Sequence, residues 1–192
     1  MEALFISTGV VALAEIGDKT QLLAFILAAR FKKPLPIIAG IFCATVVNHG
    51  LAGALGVWIT SALGGDALRW ALGLSFIGMA IWTLIPDKIE EEETRVAGRL
   101  GVFGATLVTF FLAEMGDKTQ IATVAMAAKF SSPVLVVMGT TLGMLIADVP
   151  AVFVGDKFAA KIPMKLVHSI AAGIFALLGV ATLAGAGKSL GL

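Results

Sequence analysis

The chain has 192 residues, of which 58% are hydrophobic and 14% are charged, with a formal net charge of +1 and a mean hydropathy of +0.98. A soluble domain usually carries about 25% charged residues, so this composition excludes an ordinary soluble protein and predicts one that lies in a lipid bilayer. Nothing in the charge pattern indicates nucleic-acid binding, and the single cysteine, Cys43, excludes an internal disulfide and a thiolate-rich metal site.

Six apolar stretches are long enough to cross a bilayer, which takes about 20 helical residues. In chain order they are Leu4–Ala29, Leu35–Leu63, Ala67–Ile85, Leu100–Ala128, Val134–Val154 and Leu166–Ala184. Proline and glycine residues separate them, as at Pro34, Pro133 and the Gly64-Gly65 pair. The pattern predicts an all-α membrane protein with six transmembrane helices.

A seven-residue motif occurs twice in the chain. Residues 15–21 read EIGDKTQ, and residues 114–120, 99 positions later, read EMGDKTQ. The same offset pairs Pro34 with Pro133 without a gap. The chain is therefore predicted to be a duplication of a three-helix unit.

An odd number of helices in each unit means that the second copy enters the membrane from the opposite side. We expect two inverted three-helix repeats, residues 1–86 and 100–192, that together form one transmembrane domain. Residues 87–99 are rich in glutamate and are predicted to be an acidic cytoplasmic linker. Transporters are commonly built in this way.

The positive charges predict the orientation. Twelve basic residues lie outside the two motifs, and an outside N-terminus places nine of them in three inner loops: Arg30, Lys32, Lys33, Lys88, Arg95, Arg99, Lys157, Lys161 and Lys165. Inner loops are enriched in Lys and Arg, so both termini are predicted to lie outside.

Each motif places charged groups near the middle of an apolar span, where an ionisable side chain costs from about 3 to more than about 10 kcal/mol. In a continuous helix the Glu, Asp and Lys of a motif share one face, and the Lys can pair with the Glu four residues before it. An inverted repeat brings the two midplane motifs together. The sequence thus predicts one cation site with four carboxylates, those of Glu15, Asp18, Glu114 and Asp117.

The candidate ligands are hard oxygens, since the amides of Gln21 and Gln120 complete the predicted metal-ligand set. Such a set suits manganese, calcium or magnesium better than copper or zinc. The remaining motif residues are expected to support the site: Gly17, Lys19, Thr20, Gly116, Lys118 and Thr119. The two glycines would permit local unwinding or close helix approach. Four acids and two lysines leave two negative charges, which one divalent cation or two protons would balance.

A second set of polar residues falls at equivalent places in the two repeats. The offset of 99 equates Asn48-His49 with Ala147-Asp148. Asn48, His49 and Asp148 are candidates for a gate or a proton relay, while hydrogen bonding between helices accounts for Asn48 and His49 equally well. His168 is expected at the membrane interface.

Two copies of E-x-G-D-K-T in a six-helix chain resemble a family of cation/proton exchangers. This family includes the Golgi manganese and calcium transporter implicated in a glycosylation disorder, and bacterial manganese exporters of the MneA type. The resemblance implies export of Mn²⁺ or Ca²⁺ from the cytoplasm against protons, with no permanently bound cofactor and no enzymatic activity. It also implies a prokaryotic plasma (inner) membrane protein, whose acidic motif residues would be those of the predicted site.

Three other interpretations compete with this one. The motif acids could simply hold helices together through Glu–Lys pairs, although duplication of the whole motif argues against that. The chain could export small organic solutes such as basic amino acids, which would then compete with metal. It could be an intramembrane aspartyl protease with Asp18 and Asp117 as a dyad, although each of these is followed by a lysine that a protease would not need.

Overall fold

The computed structural model describes residues 1–85, 100–154 and 164–185, which form eight helices. They are α1 (Glu2–Glu15), α2 (Lys19–Phe31), α3 (Pro34–Ala62), α4 (Gly65–Thr83), α5 (Gly101–Glu114), α6 (Lys118–Lys129), α7 (Pro133–Val154) and α8 (Met164–Leu183). The acidic linker predicted at 87–99 lies outside the described residues.

Four of the predicted spans correspond to single helices, α3, α4, α7 and α8, with ends within about two residues of those expected. Pro34 and Pro133 begin α3 and α7, where the missing N–H of proline needs no partner. By length and composition, three described helices could cross a membrane, over Pro34–Ala62, Pro133–Phe153 and Lys165–Leu183. The described chain is therefore all-helical, with apolar helices suited to a bilayer.

The first and fourth predicted spans are not continuous helices. Each is broken at its motif, so that Leu4–Ala29 becomes α1 and α2, and Leu100–Ala128 becomes α5 and α6. The prediction of six unbroken helices was wrong at these two places, and the possibility of local unwinding at Gly17 and Gly116 is confirmed by their positive φ angles. The apolar side chains run through both breaks, which is why hydrophobicity alone did not reveal them.

Close packing of α7 along α1 is repeated by α3 along α5. A Cβ atom added to Gly139 would lie 2.5 Å from the carbonyl oxygen of Leu4, and one added to Gly40 would lie 2.9 Å from that of Phe103. Gly40 lies 99 residues before Gly139, and Phe103 lies 99 residues after Leu4, so the second contact is the first one with the two repeats exchanged. The absence of a side chain thus lets a helix of one repeat approach the broken helix of the other.

Two apolar clusters fill the interior. One contains residues from α1, α4, α6, α7 and α8, including Phe76 and Phe175, and the other contains residues from α2, α3, α5 and α7. Helices α4 and α8 both belong to the first cluster, where α4 packs on α6 and α8 packs on α1. The packing is therefore not two-fold symmetric.

The asymmetry is visible at Lys129, the last residue of α6. Its Nζ donates a hydrogen bond of 2.7 Å to Thr182 Oγ1 on α8 and lies 5.7 Å from the centre of the Phe76 ring on α4. The equivalent residue of α2, Arg30, is exposed. Helices α4 and α8 thus cover the end of the bundle that holds the N-terminus of α1 and the C-terminus of α6.

Candidate functional site

Each motif folds as a helix end followed at once by a new helix. Gly17 and Gly116 have φ angles of 85° and 79°, a left-handed conformation that a residue with a Cβ atom adopts only with strain. The following aspartates cap the new helices: Asp18 Oδ1 accepts from Lys19 N at 2.9 Å, and Asp117 Oδ1 accepts from Gln120 N at 2.7 Å. The motif is therefore a glycine stop joined to an aspartate N-cap.

The motif glutamines complete this turn. Gln21 Oε1 accepts from Gly17 N at 2.9 Å, and Gln120 Oε1 accepts from Gly116 N at 2.8 Å, in the manner of a capping box. Gln21 Nε2 also donates to the carbonyl of Ala147 on α7 at 2.8 Å. In this structure, the two amide oxygens that were predicted to bind metal instead accept backbone hydrogen bonds that stabilise the helix breaks.

The breaks overturn two expectations about the motif side chains. The Glu and the Asp of a motif do not share one helix face, because Glu15 ends α1 and Asp18 precedes α2. The four-residue Glu–Lys spacing likewise no longer lies within one helix. Lys118 Nζ instead pairs with Asp18 Oδ2 of the other repeat at 2.9 Å, and the two side chains are 1% and 2% exposed.

Glu15 accepts hydrogen bonds from threonines of both motifs. It is fully buried, its Oε2 accepts from Thr20 Oγ1 at 2.6 Å, and its Oε1 accepts a hydrogen bond from Thr119 Oγ1 of the second motif. The Thr119 hydroxyl lies 3.1 Å from Asp117 Oδ2 as well. One threonine therefore stands between acids of the two repeats.

The remaining charges of the motifs lie in the same buried region. Glu114 is 0% exposed and Asp117 is 6% exposed, and neither carboxylate oxygen of Glu114 has a hydrogen-bond partner among the described residues. Glu15 is close enough to both for their charges to repel, and Lys19 is close enough to Asp117 for attraction. Glu15, Glu114 and Asp117 thus form one electrostatically connected group, and Lys118, which pairs with Asp18 and attracts Glu15, joins Asp18 to it.

This group is not a preformed metal cage. Among the described residues, no three His, Cys, Asp or Glu side chains converge closely enough to hold a metal ion. The physical reason is that hydroxyl, ammonium and backbone N–H groups already occupy Glu15, Asp18 and Asp117. A cation could enter only by replacing some of these contacts.

The second set of polar residues borders the motif acids. Asn48 Nδ2 donates to the carbonyl of Phe111 on α5 at 3.1 Å, one turn before Glu114. His49 and Asp148 are both 0% exposed, and neither has a hydrogen-bond partner among the described residues. Asp148 is close enough to Glu15 and Asp18 for charge repulsion.

Sequence reasoning missed the position of His168. Its Nε2 lies 2.9 Å from the carbonyl oxygen of Ile16, the C-cap residue that follows α1, and the ring is partly buried. The expectation of an interfacial residue was therefore incomplete, since His168 joins α8 to the first break. No spacing signal in the sequence connects positions 152 residues apart.

Comparison with known proteins identifies the family to which this chain belongs. The model of the family described as "Divalent cation/proton antiporter GDT1" matches residues 3–91 and 102–189. The chain belongs to the GDT1 family. GDT1 proteins are transporters rather than enzymes, so membership does not favour the protease interpretation.

Alignments with named relatives cover nearly the whole chain. It is 51% identical over 183 residues to a Vibrio cholerae serotype O1 protein named "Putative manganese exporter", covering 95% of this chain and 90% of that protein. It is 29% identical to "GDT1-like protein sll0615" of Synechocystis, covering 88% and 91%. It is 28% identical to "GDT1-like protein 3" of rice, covering 91% and 71%. No solved structure matches the chain.

Proposed function

We propose that this GDT1 protein exports Mn²⁺ from the cytoplasm in exchange for protons, through a site between its two broken helices. The observation that carries the proposal is the joining of the two motifs in one buried region, by the Lys118–Asp18 ion pair and the Thr119–Glu15 hydrogen bond. The name of the Vibrio cholerae relative favours manganese. Ca²⁺ is the second candidate, because an all-oxygen site accepts either ion.

The proposed ligands are Glu15, Asp18, Glu114 and Asp117, with the amide oxygens of Gln21 and Gln120. The latter two would become available when the capping bonds to Gly17 and Gly116 open. Broken helices of other transporters supply backbone carbonyls to their cation sites, and carbonyls at the ends of α1 and α5 would do the same here. The site would therefore form on cation entry rather than stand ready.

Charge balance gives a route to exchange. Four carboxylates and the two ammonium groups of Lys19 and Lys118 leave two negative charges, so one divalent cation or two protons would make the group neutral. A buried group with uncompensated charge is costly, which disfavours the empty, deprotonated site. Exchange of one Mn²⁺ for two protons would then be the electroneutral cycle.

The proposed architecture has six membrane spans, with each broken helix pair crossing once. Residues 1–86 and 100–192 would be inverted repeats within one domain, joined by the linker 87–99, with both termini outside the inner membrane. The segments that match the family model start 99 residues apart, which supports the duplication. The repeated packing of Gly40 and Gly139 supports it as well.

We propose that the described conformation is closed on the side of the N-terminus. There α4 and α8 cover α1 and α6, and Lys129 is fixed to Thr182, whereas the equivalent Arg30 at the other end is exposed. Movement of α4 and α8 toward α2 and α5 would reverse this arrangement. Asn48 and His49, beside α5, are the candidates for a gate on that route.

Mn²⁺ uptake into proteoliposomes under an imposed pH gradient tests the proposal. Wild-type protein should carry Mn²⁺ in the direction opposite to the proton gradient, and Glu15→Gln should abolish this flux while the protein remains folded. Glu2→Gln, an exposed change in the first turn of the same helix, is the matched control and should transport normally. Wild-type flux that ignores the pH gradient would contradict proton exchange, and normal flux in Glu15→Gln would contradict the site.

A further inference from the structure

Asp148 on α7 is a buried acid that belongs to neither motif. It is 0% exposed, and neither of its carboxylate oxygens has a hydrogen-bond partner among the described residues. Buried polar groups in folded proteins nearly always have such partners, and those that lack them call for an explanation. A carboxylate left in this condition is suited to a cation that arrives and leaves.

The register of α7 against α1 places Asp148 beside the first motif. Gly139 packs against Leu4, and Gly143 packs against Thr8, so each step of four residues on α7 matches four residues on α1. Continued by one more turn, the register brings residue 148 to the level of the C-terminal end of α1, where Glu15 lies. The hydrogen bond from Gln21 to the carbonyl of Ala147 fixes the same alignment.

The side chain of Asp148 faces the motif acids. It is close enough to Glu15 and Asp18 for direct charge repulsion, and Glu114 is subject to repulsion from Asp148 in turn. Asp148 is thus in electrostatic contact with acids from both repeats. Its carboxylate has the hard oxygens that Mn²⁺ and Ca²⁺ bind.

Asp148 also distinguishes the two repeats. The equivalent position in the first repeat is His49, which is neutral or positive and never supplies a carboxylate. The group of buried acids therefore has five members once Asp148 is counted with the four motif acids. With Lys19 and Lys118 positive, its net charge is three negative charges, which one divalent cation and one proton would balance. Exchange of one Mn²⁺ for two protons would still be electroneutral. The fifth acid is attached to α7, so it does not depend on the conformation of either break.

We propose that Asp148 is an additional ligand of the transported cation, and this inference rests on the proposed function. Lys118 holds Asp18 in the described conformation, and a ligand on a continuous helix can hold the cation while the motif contacts exchange. Asp148 would then set how tightly the cation binds before the four motif acids close around it.

The test is Mn²⁺ binding to the purified full-length protein in detergent, measured through the electron paramagnetic resonance signal of free Mn²⁺, together with Mn²⁺ flux in proteoliposomes. Asp148→Asn should weaken Mn²⁺ binding by about tenfold or more. Asp148→Glu, which keeps a carboxylate, should bind more tightly than Asp148→Asn. Asp66→Asn is the matched control, because Asp66 is exposed at the start of α4, and it should bind as the wild type does.

Thermal unfolding separates a ligand from a structural residue. Asn is nearly isosteric with Asp and removes a charge that repels its neighbours, so the metal-free variant should unfold at the wild-type temperature or above, with a smaller rise on addition of Mn²⁺. If Asp148→Asn does not fold, Asp148→Ser, smaller and neutral, takes its place with the same expectations. Wild-type Mn²⁺ affinity in the neutral variant would overturn the proposal, as would a lower metal-free unfolding temperature with an unchanged Mn²⁺ response. A wild-type protein that carries no Mn²⁺ would contradict the proposed function instead.

Discussion

Lys118 Nζ lies 2.9 Å from Asp18 Oδ2, and this ion pair links the second broken helix to the first in a region closed to solvent. An ammonium group in that place neutralises one acid of the proposed site while no divalent cation is bound. Mn²⁺ would have to displace it from Asp18. If the proposed site is correct, the lysine of the second motif would compete with the cation for Asp18.

Replacing this competitor should raise metal affinity and lower stability. Removal of one partner from a buried ion pair costs about 3–5 kcal/mol, because the other charge is left uncompensated. Lys118→Gln should therefore unfold at a lower temperature without metal and recover more than the wild type when Mn²⁺ is added. Thermal unfolding with and without Mn²⁺ measures both effects. Lys33→Gln, at an exposed lysine, is the control, and a Lys118→Gln profile like that of the control would refute the competition.

Loss of the Thr119 hydroxyl should slow transport more than loss of any other threonine hydroxyl of α6. Thr119→Val removes a donor shared by Glu15 and Asp117, and a hydrogen bond to a charged group contributes about 1.5–3 kcal/mol. We expect a transport rate at least about tenfold lower. Thr119→Ser should restore most of it. Thr123→Val is the matched control, because Thr123 Oγ1 donates only to the Thr119 carbonyl of its own helix. Transport rates are measured in proteoliposomes. Equal rates for Thr119→Val and Thr123→Val would contradict the proposal that the hydrogen bonds from Thr119 to Glu15 and Asp117 support transport.

The conformation of the breaks can be tested at one glycine. An added Cβ at Gly116 would meet no atom within 4 Å, so Gly116→Ala tests the backbone alone. At a φ of 79° the substitution should destabilise the fold by about 1–2 kcal/mol. Gly78→Ala, within α4 and equally free of contacts, should instead stabilise by about 0.5–1 kcal/mol. The free energy of unfolding of each variant, compared with that of the wild type, tests this prediction. If both substitutions changed it in the same direction, the second motif would not be broken as described.

The closed side of the bundle predicts different reactivity at two equivalent alanines. Ala29 is exposed at the end of α2, whereas Ala128 is 7% exposed near the end of α6. In a Cys43→Ala background, a cysteine at 29 should react with a maleimide at least about tenfold faster than one at 128, as expected for an opening free energy above about 1.4 kcal/mol. Lys129→Met, which removes the bond to Thr182, should speed labelling at 128. Equal labelling at the two positions would contradict the asymmetry.

Much of the fold was predictable because the sequence marks the ends of its helices. Pro34 and Pro133 begin α3 and α7 as expected, and the ends of α4 and α8 lie within about two residues of those of the apolar stretches. The two breaks were missed because hydrophobicity continues through them. A signal was present, since a glycine followed by an aspartate, with a glutamine three residues later, is the pattern of a helix stop and a capped helix start.

The sequence predicted that the motif acids would lie near one another, but it did not predict the contacts that they make. Duplication of the motif indicated that Glu15 and Glu114 would lie near one another, and their charges do interact. The Lys118–Asp18 pair was not predictable, because spacing along a helix describes neighbours in one chain segment and this pair joins segments 100 residues apart. The bond from His168 to Ile16 depends on tertiary packing in the same way.

The most direct test of coupled exchange is whether a Mn²⁺ gradient alone drives protons. Proteoliposomes with a pH-sensitive dye inside, equal pH on both sides and Mn²⁺ added outside would be compared for the wild type, Glu15→Gln and Glu114→Gln. We expect Mn²⁺ entry to make the interior more alkaline with the wild type, because protons leave, and we expect no such pH change with either variant. Mn²⁺ entry without any pH change in the wild type, or an unchanged response in both variants, would contradict this prediction.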